Sequence, residues 1–152
     1  DMARYRKMVI KRQWWAVLLL LAVVILLGLG TRYFHDSLPE FLAAYAGTVL
    51  WGWAVFLLFA LIFRKAKTWL PAVCALVLSF GIEFSQMYHA PWIDALRANP
   101  VAELVFGSQF EWTDLICYAV GIFIALLIDL LYRSFLRVRQ ESNLNYVIRS
   151  KW

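Results

Sequence analysis

Charge is the first shortage in this sequence. Only 16% of its 152 residues are charged, while 63% are hydrophobic and 17% aromatic. A soluble domain carries ~25% charged and ~45–50% apolar residues. The apolar excess is too large for a water-exposed surface of this size, and it excludes a disordered chain, which needs low hydrophobicity. Cysteine is also scarce, with two residues, Cys74 and Cys117. They fall in different apolar segments at depths differing by roughly 15 Å, on a rise of ~1.5 Å per residue. A disulfide needs Cα atoms within ~7 Å, so two free thiols acting as small buried hydrophobes are expected. The sequence has two histidines, His35 and His89, and no HExxH or paired-cysteine spacing, so no metal site is expected. It also lacks GxSxG, internal repeats and low-complexity tracts. Ser79, Ser85 and Ser108 have no partner signature for nucleophilic catalysis, and nothing calls for a cofactor.

Long apolar runs are what the chain has instead. Trp14 to Thr31 and Phe41 to Phe63 contain no charge. Thr68 to Tyr88 is interrupted only by Glu83, and Leu115 to Tyr132 only by Asp129. A spanning helix needs ~20 mostly apolar residues. The expectation is an all-α membrane protein with a four-helix bundle over residues 14–31, 43–63, 68–88 and 113–132. The first run follows basic residues but is longer than a signal-peptide core, and no A-x-A-like site follows it. It is read as a retained helix.

Lysine and arginine set the orientation. Five lie before the first run, three (Arg64, Lys65, Lys67) between the second and third, and five after the fourth. Arg32 and Arg97 are alone in the other two connections. Both termini are therefore expected in the cytoplasm, which requires an even number of spans. The net charge of +5 then divides unequally. The cytoplasmic side carries thirteen Lys and Arg against Asp1, Asp129 and Glu141, a net +10. The outer side carries Arg32 and Arg97 against seven carboxylates, a net −5. The basic ends suit a lipid bilayer; nucleic acid is not expected.

Residues 89–112 form the one long connection. Ala90-Pro91 opens a short helix to Arg97. Asn99-Pro100 reads as an N-cap followed by proline at the first helical position, and Gly107 as the stop. This loop either caps the bundle or lines a pocket.

Ionisable groups inside a membrane are costly and tend to mark sites. Ser79, Glu83 and Gln86 share one face of the third helix. Asp114, Tyr118, Gly121 and Ala125 form a stripe on the fourth, Thr48 lies on the second, and Arg32 ends the first. The pattern predicts a polar cluster under the outer loop, with Arg32 or Arg97 paired to Glu83 or Asp114. The small pairs Ala43/Gly47 and Gly121/Ala125 allow close helix approach within the bundle or between two copies. The cluster is read either as a network stitching the bundle or as a ligand site.

In the ligand-site reading, Arg32 and Arg97 hold anionic groups and Trp92 and Trp112 pack on apolar or sugar parts. Thr48, Glu83, Gln86, Asp114 and Tyr118 form the polar floor. The ligand would be an envelope lipid, a cell-wall precursor or a glycopeptide, bound without catalysis. Two alternatives are a lipid-modifying enzyme using Glu83 or Asp114 as acid or base, and an accessory subunit of a larger complex. A homodimer or a partner membrane protein is compatible with each.

The segments Arg32-Tyr33-Phe34, Leu38-Pro39-Glu40-Phe41 and Tyr45-Ala46-Gly47-Thr48-Val49-Leu50-Trp51 resemble a family of small bacterial inner-membrane proteins known as domain of unknown function 2809. So do Glu83-Phe84-Ser85-Gln86-Met87-Tyr88, Ala90-Pro91-Trp92-Ile93, Arg97, Gly107, Phe110-Glu111-Trp112-Thr113-Asp114-Leu115 and Tyr118. The likeness runs from about Arg32 to Ile122. The second half is also similar to VanZ-like proteins, which carry Glu-x-x-Gln on one helix and an Asp opening the next. That similarity implies an envelope role and a link to glycopeptide antibiotic resistance. The chain departs from the VanZ-like pattern at Thr48, usually acidic, at Ser108-Gln109, where an Arg is missing, and at Tyr118, often Asn. The resemblance implies a membrane setting and an outer polar cluster, and it supplies no reaction.

Overall fold

A computed structural model describes residues 12–107 and 109–149, the side chains of 144 and 147–149 excepted. Asp1, Arg4, Arg6, Lys7, Lys11, Ser108 and Lys151, used in the sequence reading, lie outside the described residues. Among the described residues the structure is all-helical. Its α-helices are α1 (Trp14–Tyr33), α2 (Glu40–Ile62), α3 (Trp69–Ser85), α4 (Pro91–Arg97), α5 (Pro100–Phe106) and α6 (Trp112–Arg149). A 3-10 turn, His35–Ser37, joins α1 to α2. Three helices, α1, α2 and α6, are long and apolar enough to cross a membrane. With 17 residues, α3 is at the short edge of the spanning range of ~17–25.

The helix ends differ from the sequence expectation for local reasons. α2 starts at Glu40, three residues before the expected 43, because the Pro39 carbonyl already accepts from Leu42 N–H (2.9 Å) and Ala43 N–H (3.0 Å). α3 stops at Ser85 rather than 88, since Gln86, Met87 and Tyr88 donate three residues back, to Glu83, Phe84 and Ser85. Such bonds tighten a final turn and occupy otherwise unpaired carbonyls. α6 runs to Arg149 instead of ending near 132. Residues 133–149 contain no glycine or proline, so the fall in apolarity after Tyr132 marks a change of surroundings and not a helix end.

α2 is the central helix, packed against α1, α3 and α6, and α3 also packs on α6. The core gathers Val24, Val55, Phe56, Leu57, Ala60, Ala75, Ile122 and Ala125. Two glycines bring α2 and α6 into backbone contact. A Cβ on Gly52 would lie 2.7 Å from the carbonyl oxygen of Tyr118, and one on Gly121 would collide with that of Val49. Gly47 faces α1, its hypothetical Cβ 3.1 Å from Thr31 Oγ1. The close approach expected of the small residues is thus made inside the chain. Cys74 and Cys117 are free. In contrast to α2, α1 buries only Val24.

The end of the bundle away from α4 and α5 is tied by an ion pair that the sequence reading did not anticipate. Arg12 grips Asp129 with two bonds, Nε to Oδ1 at 2.7 Å and Nη2 to Oδ2 at 2.6 Å. Its Nη1 also donates to the carbonyls of Phe63 (3.0 Å) and Ala66 (3.3 Å). Thr68 Oγ1 donates to Asp129, and Arg133 donates to Ala66 O at 2.8 Å. The two charges are thereby satisfied within a set of hydrogen bonds, the condition for a buried pair to be tolerated.

Candidate functional site

The opposite end is built on the last turn of α3. Glu83 and Gln86 are three residues apart and meet on one face. Glu83 is completely buried. Its Oε2 accepts from Gln86 Nε2 (3.1 Å) and Tyr118 Oη (3.4 Å), and its Oε1 accepts the Glu111 N–H at 2.8 Å. α3, α6 and the chain before α6 therefore converge on one carboxylate. All three donors are neutral, and no described Lys, Arg or His forms an ion pair with it.

Arg97 does not pair with Glu83 or Asp114, as the sequence suggested. It is buried, and its guanidinium donates to the backbone carbonyls of Tyr88 (2.9 Å) and Ser85 (2.7 Å), with Asp94 3.7 Å away. It thus closes the C-terminal end of α3 and fastens α4 to it. A cation at a helix C-terminus is favourable because unpaired carbonyls carry partial negative charge there. The residues after α4 follow their sequence signals. Asn99 Oδ1 caps α5 by accepting from Val101 N–H (2.9 Å) and Ala102 N–H (3.3 Å). Gly107 ends α5 at φ 64°, against the Gln86 amide, where a side chain would collide. Stacking of Phe84 on Phe110, with centroids 5.8 Å apart, holds the following segment to α3.

These elements enclose a cavity of about 460 Å³ between α1, α2, α5 and the start of α6, within the ~300–1,000 Å³ range of ligand pockets. Its polar end carries Arg32, Thr48, Gln86, Glu111, Asp114 and Tyr118. Its other end is apolar, lined by Val24, Ile25, Leu50 and Ala54 among others. Thr48 Oγ1 donates to Asp114 Oδ1 at 3.4 Å, a long contact across α2 and α6. Arg32 is exposed at the rim and forms no hydrogen bond or ion pair with a described residue.

Of the nine residues singled out in the sequence, Arg32, Thr48, Gln86, Asp114 and Tyr118 line this cavity. Glu83 stands one hydrogen bond behind its wall, through Gln86 and Tyr118. Arg97 is turned to the backbone. Trp92 and Trp112 are 65% and 69% exposed and pack on Tyr88 and Phe110 instead of entering the cavity. Glu103 and Leu104 of α5, and Glu111, belong to the wall but were not named as site residues. Their signal was the loop itself, read in the sequence as capping the bundle or lining a pocket, but no periodicity told which of its residues face inward. Among the described residues no group of three or more His, Cys, Asp or Glu is placed to hold a metal.

Apolar helices of membrane-spanning length with a polar cavity at one end place the chain in the class of α-helical membrane proteins. A family model described as "Protein of unknown function (DUF2809)" matches residues 37–122, more than half of the sequence, and the chain belongs to that family. The matched stretch holds every cavity-lining residue outside α1 except His35. No solved structure matches the chain.

Proposed function

We propose that this chain is a four-span bacterial inner-membrane protein, with both termini cytoplasmic, that binds an amphipathic envelope molecule in its outer cavity without transforming it. The observation that carries this reading is the division of one cavity into a polar end and an apolar end, the distribution an amphiphile requires. The uneven placement of Lys and Arg supports the orientation. α3 contributes the fourth span, its 17 residues reaching ~25 Å, with the bilayer adapting to the small mismatch. A lipid or a lipid-linked cell-wall precursor fits better than a bulky soluble molecule, since α5 covers the polar end.

Native mass spectrometry of the protein, purified in a mild detergent with an envelope lipid extract added, tests the reading. Ala44 is exposed and lines the cavity, so Ala44→Trp fills the space from the rim without disturbing the core. The expected result is a retained amphiphile that Ala44→Trp loses. Retention unchanged in the filled variant, or no retention in either protein, overturns the reading and leaves the polar residues as a network that stitches the helices.

A further inference from the structure

We infer that the end of the bundle opposite the outer cavity holds an anionic phospholipid, its phosphate drawn to exposed basic residues around Arg12 and one acyl chain laid in a groove beside them. The groove, of about 150 Å³, lies between α1, α2 and α6 and is lined by Ala16, Leu20, Phe56, Leu57, Ala125 and Ile128 among others. Those three helices are the ones long and apolar enough to cross a membrane. Asp129, the partner of Arg12, lines the groove at that end. Trp14, Trp15 and Trp69 are exposed close by in the chain, and tryptophan collects where hydrocarbon meets water. The groove therefore starts just inside the hydrocarbon region, at the depth of a lipid's acyl chains.

Charge points to the same occupant. The buried Arg12–Asp129 pair neutralises itself and presents no net charge to a ligand. What remains in reach of water is almost wholly of one sign. Arg64, Lys65, Lys67, Arg137 and Arg139 are exposed, and among the described residues of this end only Glu141 opposes them. The connection carrying the first three is held beside the groove. Arg12 N–H donates to Arg64 O at 3.2 Å, and its guanidinium donates to Phe63 O and Ala66 O. Arg139 lies two helical turns beyond Tyr132, which lines the groove, and shares its face. Basic pockets between membrane helices on the cytoplasmic side suit anionic lipid heads. A zwitterionic head would bring an ammonium group against the same cations. A free phosphate would make no use of the groove, whereas an anionic phospholipid occupies both parts at once.

Phosphatidylglycerol and phosphatidylcholine of identical chains are titrated into the detergent-solubilised protein, and occupancy is read by native mass spectrometry. The natural protein and Ala44→Trp, whose outer cavity is filled, are compared so that the two sites are read apart. Phosphatidylglycerol is expected to bind at least about tenfold tighter than phosphatidylcholine in both proteins. The triple variant Arg64→Gln/Lys65→Gln/Lys67→Gln changes only exposed side chains and brings that ratio toward one. Ala16 is half-buried in the groove wall, so Ala16→Phe fills the groove and lowers the binding of both lipids several-fold. Val17→Phe, at a second half-buried wall position, repeats the test should Ala16→Phe melt early. Equal binding of the two lipids, a ratio unmoved by the triple variant, or binding unmoved by the groove-filling variants overturns the inference. A preference that vanishes in Ala44→Trp belongs to the outer cavity and overturns it too. A preference that persists there supports the inference, whether or not the outer cavity retains an amphiphile.

Discussion

Arg12 and Asp129 are 117 residues apart in sequence and share a bidentate ion pair, with side chains 0% and 10% exposed. The pair joins the entrance of α1 to the middle of α6, and the Arg12 guanidinium also holds the α2–α3 connection through Phe63 O and Ala66 O. Removing one partner of a buried pair leaves the other uncompensated, at a cost of about 3–5 kcal/mol. Asp129→Asn and Arg12→Met are each expected to lower the thermal midpoint in detergent clearly. The double variant Arg12→Met/Asp129→Leu is expected to recover a large part of the loss. A double-mutant cycle gives the coupling directly, and additive effects would contradict a specific pair.

The crossing of α2 and α6 makes an unequal prediction for glycines. Gly52 and Gly121 face backbone carbonyls at sub-van-der-Waals range for any Cβ, whereas Gly30 and Gly81 have nothing within 4 Å. Gly121→Ala is expected to destabilise by at least ~1–3 kcal/mol, the range for overpacking. Gly30→Ala is expected to be neutral or slightly stabilising, since alanine is favoured in helices by ~1 kcal/mol. Detergent melting curves of the two variants side by side decide this.

Arg97 is the clasp between α3 and α4. Hydrogen bonds from a charged group are worth about 1.5–3 kcal/mol, so Arg97→Met should release the segment from His89 to Phe106. Hydrogen exchange in α4 and α5 should rise while α2 stays protected. Arg97→Lys should rescue little, because one ammonium cannot reproduce the guanidinium fork that reaches two carbonyls. Unchanged exchange in Arg97→Met would rule out the clasp.

Around Glu83 the three donors differ in geometry, and the variants should follow. The Glu111 N–H contact is 2.8 Å and the Tyr118 hydroxyl contact 3.4 Å. Tyr118→Phe is therefore expected to cost under about 1 kcal/mol. Glu83→Leu strands the Glu111 N–H and the Gln86 amide together and should cost more, at about 1–3 kcal/mol for each buried group left unpaired. Chemical denaturation in mixed micelles orders the two, and an inverted order would contradict the central place of the carboxylate.

Much of this arrangement is legible in the residues. The apolar runs place the long helices, Asn99-Pro100 and Gly107 bracket α5, and the spacing of Glu83 and Gln86 puts them on one face. What the pattern could not give follows from its nature. Side-chain periodicity says which residues share a face but nothing about backbone acceptors, so Arg97 was matched to Glu83 or Asp114 when its hydrogen bonds go to the Tyr88 and Ser85 carbonyls. The Arg12–Asp129 pair depends on how distant helices come together, and each member alone looks like an ordinary charge at the edge of an apolar run. Hydropathy likewise reports surroundings and not helicity, and the continuation of α6 past Tyr132 was invisible to it.

The ion pair also sets a waiting time in biosynthesis. Arg12 leaves the ribosome 117 residues ahead of Asp129, an interval of roughly 6–23 s at a translation rate of ~5–20 residues per second. During that interval α1 has neither its partner on α6 nor, at first, α2 to lie against. α1 buries only Val24 in the finished fold, so its exposed apolar surface loses little by the delay. Among the long helices α1 thus buries the fewest residues, and Asp129 supplies the contact that ties its entrance to α6.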